Sequence, residues 1–326
     1  MPIFKDKISK KDLKRYEEVA RKGNPQRAID LFIAKYIVSL AEQYQTLMKK
    51  ALRKGENLLS SKETRALSIR ISGASTGVSA AMEKLYRKFM RFVYSEAVFK
   101  KLKITNPLAK KTIINNSIQL FKENIEGALS RTNNLILSNI RKYQTKLISE
   151  SARFDALVKT GEAFQKNKAA FMERVKKDIL KANPDFEKML DKDQFIIYRD
   201  GSKHRFDDYS EMATRTTALN VERNGVEMQE IIKQRRVSEY FRRDKTPYKT
   251  SIRRQVCAEI LSKRFKGKSL IAHDPGAAAI FRILTISEAR ARGAFGPNCK
   301  HSIRPLSKTD YNRIETLLFL AEKEAV

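Results

Sequence analysis

Residues 107–147 read PLAKKTIINNSIQLFKENIEGALSRTNNLILSNIRKYQTKL, with no proline after Pro107. Ile114, Ile118, Phe121, Ile125, Leu129, Ile136, Ile140, Tyr143 and Leu147 recur at steps of three, four or seven. Those steps return side chains to one face of an α-helix, so the stretch predicts a long apolar stripe. Asn106-Pro107 supplies an N-cap and a proline at the first helical position. A periodic run this long predicts long, partly coiled-coil-like helices.

The stretch before it has the same texture. Ser9 and Asp12 stand in capping-box positions for a short helix. Asn24-Pro25 restarts the chain, and Ile29, Phe32, Ile33, Tyr36, Ile37 and Leu40 follow at helical spacing up to a stop at Gly55. Ile71-Ser72-Gly73-Ala74-Ser75-Thr76-Gly77 predicts a small-residue break. Val78, Met82, Leu85, Phe89, Phe92, Val93 and Phe99 then form another stripe. Asn183-Pro184 is the last strong break. Beyond it the pattern changes. Phe195-Ile196-Ile197-Tyr198 is a short run of β-formers, Asp200-Gly201 is a hairpin signal, and Lys203-His204-Arg205-Phe206 alternates like a returning strand. Asp207 or Asp208 then caps a helix. Further helices are expected at 251–265 and after Ser307, with a strand at Ser269-Leu270-Ile271-Ala272 and turns over 273–301. The expected fold is mainly α with a smaller α+β C-terminal domain: a helical region over 1–190 and an α+β domain over 191–326.

Composition narrows the partners. The chain of 326 residues carries 67 Lys+Arg against 37 Asp+Glu, a net charge of +30, which attracts polyanions. Two cysteines make no disulfide framework, so a reducing compartment is expected. The N-terminus lacks the apolar core of a secretion signal. No run approaches the roughly 18 uncharged apolar residues of a membrane span, so none is expected.

Three segments could carry chemistry. In 198–217, Tyr209, Met212 and Thr216 share one helix face and Arg215 lies on another, an arrangement that suits a hairpin feeding a helix with Arg215 in an ion pair. Cys257, His273, Cys299 and His301 offer two thiolates and two imidazoles, the donors of a tetrahedral zinc site. The tight Cys299-Lys300-His301 spacing also suits a turn with a packed histidine. The third segment is basic: Lys233, Arg235, Arg236, Arg242, Arg243, Lys245, Lys249, Arg253 and Arg254, with Tyr240, Phe241 and Tyr248 interleaved. That mixture grips phosphates and stacks bases, or faces an acidic protein surface or water. Lys263, Arg264, Lys266 and Lys268 extend it, and Lys100, Lys101, Lys103, Lys110 and Lys111 form a second cluster. No zinc-finger, helix-turn-helix or RNA-recognition signature accompanies them, so nucleic-acid contact is expected to be sequence-independent.

Two blocks together carry a family resemblance. Asp200-Gly201, the Tyr209-to-Met212 step and Arg215-Thr216-Thr217 resemble the start of the C-terminal domain in tailed-phage minor capsid, or head morphogenesis, proteins of the Mu F-like group. Gly296-Pro297-Asn298-Cys299-Lys300-His301-Ser302 with Pro305 resembles that family's terminal Asn-Cys-Arg-His block. The blocks fall in the family's order and cover residues 195–306. Many members carry a Cys-x-x-Cys pair upstream; here the stretch is Cys257-Ala258-Glu259-Ile260, with one cysteine. The resemblance implies a non-enzymatic virion component at the portal vertex of the phage head, assembled in the host cytoplasm. It would contact portal protein, capsid proteins and packaged DNA, supporting head assembly or DNA delivery.

Enzyme signatures are sparse. Gly73-Ala74-Ser75-Thr76-Gly77 spells Gly-x-Ser-x-Gly within the small-residue stretch, with no strand before it, and no phosphate-binding Gly-x-x-x-x-Gly-Lys loop is present. An ADP-ribosyltransferase-like toxin would use an Arg, a Ser-Thr-Ser strand and a Glu-x-Glu loop in that order. Arg215 and Glu322-Lys323-Glu324 exist, but the strand between them does not, and Glu322 and Glu324 end an apolar helical pattern. A sequence-independent nucleic-acid-binding protein is the other alternative that the composition allows.

Overall fold

The structure is a computed structural model. It describes residue 4 and residues 6–162, 165–184, 196–198, 201–242, 252–295, 299 and 301–324. The described residues are mostly helical, with long N-terminal helices and a small C-terminal region of short strands and helices. The mainly α fold with a smaller α+β part is therefore present. The described elements are α1 (Lys10–Arg21), α2 (Pro25–Phe32), α3 (Val38–Gly55), α4 (Ser61–Phe89), α5 (Ser95–Leu102), α6 (Pro107–Lys159), α7 (Lys168–Lys181), β1 (Ile196–Ile197), β2 (Lys203–His204), α8 (Phe206–Ile232), β3 (Val237–Arg242), α9 (Ile252–Ser262), β4 (Arg264–Phe265), β5 (Lys268–Ala272), α10 (Pro275–Phe281), α11 (Ile286–Ala291), β6 (His301–Arg304) and α12 (Lys308–Glu324). Wider π-helical turns, Ile33–Ile37 and Met90–Tyr94, join α2 to α3 and α4 to α5.

The expected boundary near 190 falls at residues outside those described. Contacts group the chain into two compact units, each drawn from separated segments. One comprises Met1–Ser9, Leu31–Lys88 and Phe121–Glu211; the other comprises Lys10–Asp30, Phe89–Leu120 and Met212–Val326. The long helix begins as its caps predict: Asn106 Oδ1 accepts from the amides of Leu108 (2.9 Å) and Ala109 (3.1 Å). Asn24 does the same for Arg27 at 3.0 Å.

In the first unit the apolar stripes meet, burying Leu40, Tyr44, Met48, Met82, Leu85, Phe121, Ile125, Ile136, Ile140 and Leu147. Each such side chain contributes about 1.5–3 kcal/mol through area removed from water. The expected break at 71–77 does not occur, because α4 runs straight through it. Small side chains there serve close packing. Ala74 and Ser75 are buried, and Ser75 Oγ bonds both Tyr44 Oη (2.9 Å) and Asn133 Oδ1 (2.8 Å). Tertiary contact outweighs the weak helix propensity of Ser and Gly. The β1–β2 hairpin forms as expected, pairing Ile196 with His204 and Ile197 with Lys203. Gly201 takes φ +81° in its turn, a conformation glycine adopts without steric cost. The hairpin docks on α6, where Ile197 N donates to Thr132 Oγ1 at 3.1 Å and Arg131 Nε donates to Ile197 O at 3.2 Å. The following helix starts at Phe206, so Asp207 and Asp208 sit in its first turn.

In the second unit a four-stranded antiparallel sheet has the order β4-β5-β3-β6. Strand β3 was not expected. Its basic and aromatic residues read as a phosphate-binding surface, yet Val237, Ser238, Glu239 and Tyr240 are all buried. The sheet is covered on both faces. Tyr240, Ile271 and Ile303 pack with Val256, Ile260, Ile286 and Phe295. Val237, Leu270 and Ala272 pack with Ala277, Leu306, Ile314 and Leu318. The turn-rich reading of 273–301 also needs correction, since two short helices stand there. Asp274 caps α10 with Pro275 at its start, and Thr285 with Glu288 forms a reciprocal capping box on α11. Ser307 and Asp310 bond reciprocally at the start of α12, as expected.

Gln144 illustrates how the first unit satisfies its backbone. This buried side chain donates to the carbonyls of Gly55 (2.6 Å) and Asn57 (2.7 Å) and accepts from the Leu59 amide (3.0 Å). Gln144→Leu leaves all three backbone groups without that partner and should cost about 2–3 kcal/mol. A thermal or urea unfolding series checks it; an unchanged midpoint would show that the loop after α3 is satisfied some other way.

Candidate metal centre and basic groove

The terminal block is positioned by Arg223, which α8 buries almost completely at 1% exposure. Its guanidinium donates to four oxygens. Nη1 reaches Asn220 Oδ1 (2.8 Å) and the Phe295 carbonyl (3.3 Å), while Nη2 reaches the carbonyls of Cys299 (2.9 Å) and His301 (2.6 Å). The same guanidinium lies 5.1 Å from the Phe295 ring centroid. A planar fork with five donors suits a set of converging carbonyls as no other side chain does. The backbone on both sides of Lys300 is thereby fixed.

That placement brings three of the four sequence-predicted donors together. Cys257 Sγ lies 3.9 Å from Cys299 Sγ, and Cys299 Sγ lies 3.6 Å from His301 Nδ1. All three ligand atoms fall within 4.8 Å of one another. Cys257 comes from α9, Cys299 from the residue shortly before β6, and His301 from the first position of β6. Tyr240 on β3 stacks on the His301 ring at 5.1 Å and 13°, which fixes its plane. Both cysteines are free thiols. The Cys299 thiol is pushed well below its ordinary range, first by the hydrogen bond with Cys257, then by bonds with His301 and by the Arg223 charge, against the opposing effect of burial.

His273 lies apart from this group. Its Nε2 pairs with Ser238 Oγ at 2.9 Å, and its amide donates to the Arg236 carbonyl at 2.8 Å. Among the family-motif residues, Tyr209 Oη donates to the Asn124 carbonyl at 2.8 Å. Arg215 pairs with Asp30 at 3.1 Å, the structural ion pair that its position suggested. Met212 is half-buried and Thr216 is buried. Asp200 and Asn298 lie outside the described residues.

Of the basic stretch, Lys233, Arg235 and Arg236 are engaged within the fold. Arg235 (3.1 Å) and Lys233 (3.6 Å) both face the buried Glu230. Arg236 bonds Asp274 (3.0 Å) and Glu322 (2.5 Å), so the carboxylate of the toxin-like reading is tied to an arginine. Arg304 and Lys268 face the buried Glu239 at 2.7 and 3.9 Å. Tyr240 is a core residue at 1% exposure, not a stacking platform; Phe241 is covered by the Arg304 guanidinium at 4.7 Å. Arg242 ends β3 half-buried. Arg243, Lys245, Tyr248 and Lys249 lie outside the described residues, as do the side chains of Arg253 and Arg254.

The second lysine cluster is arranged differently. A groove of about 990 Å³ is lined by Glu17, Arg21, Phe92, Glu96, Phe99, Lys100, Lys101, Lys103 and Lys110, among others. Lys100, Lys101 and Lys103 are exposed. Phe92 presents its ring to solvent at 64% exposure, and Lys110 lies 5.8 Å over Phe99. Lys101 faces Glu222 at 3.5 Å, and Glu17 is bonded to Arg21. An exposed aromatic ring among lysines is the combination that holds a phosphate backbone and stacks a base. The sequence showed these lysines as a cluster but not the groove, which the left-handed turn at Lys103 helps shape (φ 54°).

No protein-family model, curated protein or solved structure matches this chain. No described helix is long and apolar enough to cross a membrane.

His273 carries a pH dependence. Burial lowers its pKa from 6.5 to about 4, with Asp274 opposing and Arg290 adding to the shift. The unfolded chain therefore binds this proton near pH 6.5, and the folded chain only near pH 4. Stability is intact above pH 6.5 and falls as the pH drops from 6.5 to about 4. His273→Gln, which keeps a polar partner for Ser238, should flatten that part of the profile of unfolding midpoint against pH. An unaltered slope would assign the acid sensitivity to other groups.

Proposed function

We propose that this chain is a minor capsid, or head morphogenesis, protein of a tailed phage. It is a virion component that associates with portal and capsid proteins, lies near packaged DNA, and supports head assembly or DNA delivery by binding. The observation that carries the reading is the ordered pair of sequence blocks, Asp200 to Thr217 and Gly296 to Ser302. The geometry around them supports a scaffolding role. Tyr209 and Arg215 are fixed by a hydrogen bond and an ion pair, and the carbonyls of Cys299 and His301 are held by Arg223. Long helices such as the 53-residue α6 offer extended faces for neighbouring subunits.

A second reading, a sequence-independent nucleic-acid-binding protein, is favoured by the groove at Lys100, Lys101, Lys103 and Lys110. The two readings separate on salt. A virion protein stays with purified heads and crosslinks to portal protein in 1 M salt, where charges are screened within about 3 Å. Recovery only with free nucleic acid at low salt, and absence from heads, would overturn the virion reading. The intact chain is needed for this test, because residues 1–190 supply segments to both compact units.

The groove makes its own prediction. If Lys100 and Lys103 each neutralise one phosphate, Lys100→Glu with Lys103→Glu should weaken duplex DNA binding. The slope of log affinity against log salt should shrink by about 1.8, roughly 0.9 per phosphate contact. Fluorescence anisotropy titrations over a salt series measure it; an unchanged slope places DNA elsewhere.

A further inference from the structure

We propose that Cys257, Cys299 and His301 bind one zinc ion, with solvent as the fourth ligand, and that this ion clips α9 to the edge of the sheet. The inference rests on interatomic distances and is independent of the virion reading.

A tetrahedral zinc ion holds sulfur at about 2.3 Å and nitrogen at about 2.0–2.1 Å. Two sulfurs on such an ion are therefore about 3.8 Å apart, and a sulfur and a nitrogen about 3.6 Å. The structure has 3.9 Å between the thiols and 3.6 Å between Cys299 Sγ and His301 Nδ1. A lone hydrogen bond would set one of these separations. All three donors fall within 4.8 Å of one another, so a small side-chain shift brings the remaining sulfur–nitrogen pair to the separation that a shared centre needs. A disulfide would need the sulfurs at about 2.05 Å, far nearer than they stand.

The chemistry of the donors selects the metal. Thiolate and imidazole favour zinc over magnesium or calcium, which prefer oxygen. Two thiolates and one neutral imidazole balance the charge of a divalent ion, so the buried site is neutral. Cys257 and His301 are 3% and 5% exposed, so two of the donors already stand out of water, while the half-buried Cys299 leaves solvent access for a fourth ligand. The His301 ring plane is set by Tyr240, and the backbone at Cys299 and His301 by Arg223. The site is thus held on three sides before any metal arrives. Among the described residues no fourth His, Cys, Asp or Glu joins the group, which leaves one position to solvent. Because Cys257 lies 42 residues before Cys299, binding closes a long loop and its free energy adds to folding.

The full chain, purified under reducing conditions without chelator, should contain one equivalent of zinc by inductively coupled plasma mass spectrometry. After zinc removal, one equivalent of Co²⁺ should produce the thiolate-to-metal charge-transfer band and the visible bands of a tetrahedral site. Zinc should also raise the thermal midpoint of the metal-free chain. Cys299→Ser and His301→Gln should each lose stoichiometric zinc, whereas His273→Gln keeps it. Should those ligand variants fail to fold, the wild-type stoichiometry and cobalt spectrum still decide. Folded, reduced wild-type chain that takes up neither ion would overturn the proposal, as would a Cys257–Cys299 disulfide under these conditions or full zinc retention by His301→Gln.

Discussion

A guanidinium taken out of water must find acceptors for its donors, because the cost of an unpaired buried charge exceeds what most single contacts return. At Nη1 and Nη2 Arg223 meets that constraint with the carbonyls of Phe295, Cys299 and His301 and the side chain of Asn220. Two of those carbonyls, of Phe295 and Cys299, belong to irregular backbone, whose polar groups would otherwise go unmatched in a protein interior. One side chain and one loop thus solve each other's problem. The consequence reaches the sheet, since His301 begins β6 and stacks on Tyr240 of the neighbouring β3. It reaches the thiols too, because fixing Cys299 sets its distance from Cys257.

The helices were legible in the sequence because their signals are local. Asn24-Pro25, Asn106-Pro107 and the Ser307/Asp310 pair are short-range capping devices, and the apolar stripes repeat at a period that only a helix satisfies. The hairpin at Gly201 was legible for the same reason. The failures were tertiary. The small residues at 71–77 look like a break by propensity, yet Ser75 is bonded by Tyr44 and Asn133, which lie far from it in sequence. Strand β3 looks like a nucleic-acid surface by composition. Just before it Lys233 and Arg235 face the buried Glu230, and its own Glu239 is buried against Arg304 and Lys268, a burial that no local pattern reveals.

The candidate site was legible in its donors and not in its geometry. Cys257, Cys299 and His301 were identifiable from residue type, but so was His273, and nothing in spacing excluded it; a hydrogen bond to Ser238 holds it elsewhere. Arg223 carried no signal at all. In a chain with 67 basic residues one more arginine on a helix is unremarked, although it is the one that α8 buries. Conversely, the lysines at 100–110 read as one cluster among several, and only the fold shows that they line a groove with an exposed Phe92.

The central claim is that Arg223 ties α8 to the terminal block, and hydrogen–deuterium exchange on the full chain with Arg223→Met addresses it directly. Methionine keeps most of the side-chain volume and removes the donors. The account predicts that the amides of Ala294, Phe295, Cys299 and 301–304 lose protection together with those of β3, which pairs with β6, while amides in α3 stay as protected as in the parent chain. Unchanged protection at those residues would contradict it, since they would then be held without the guanidinium.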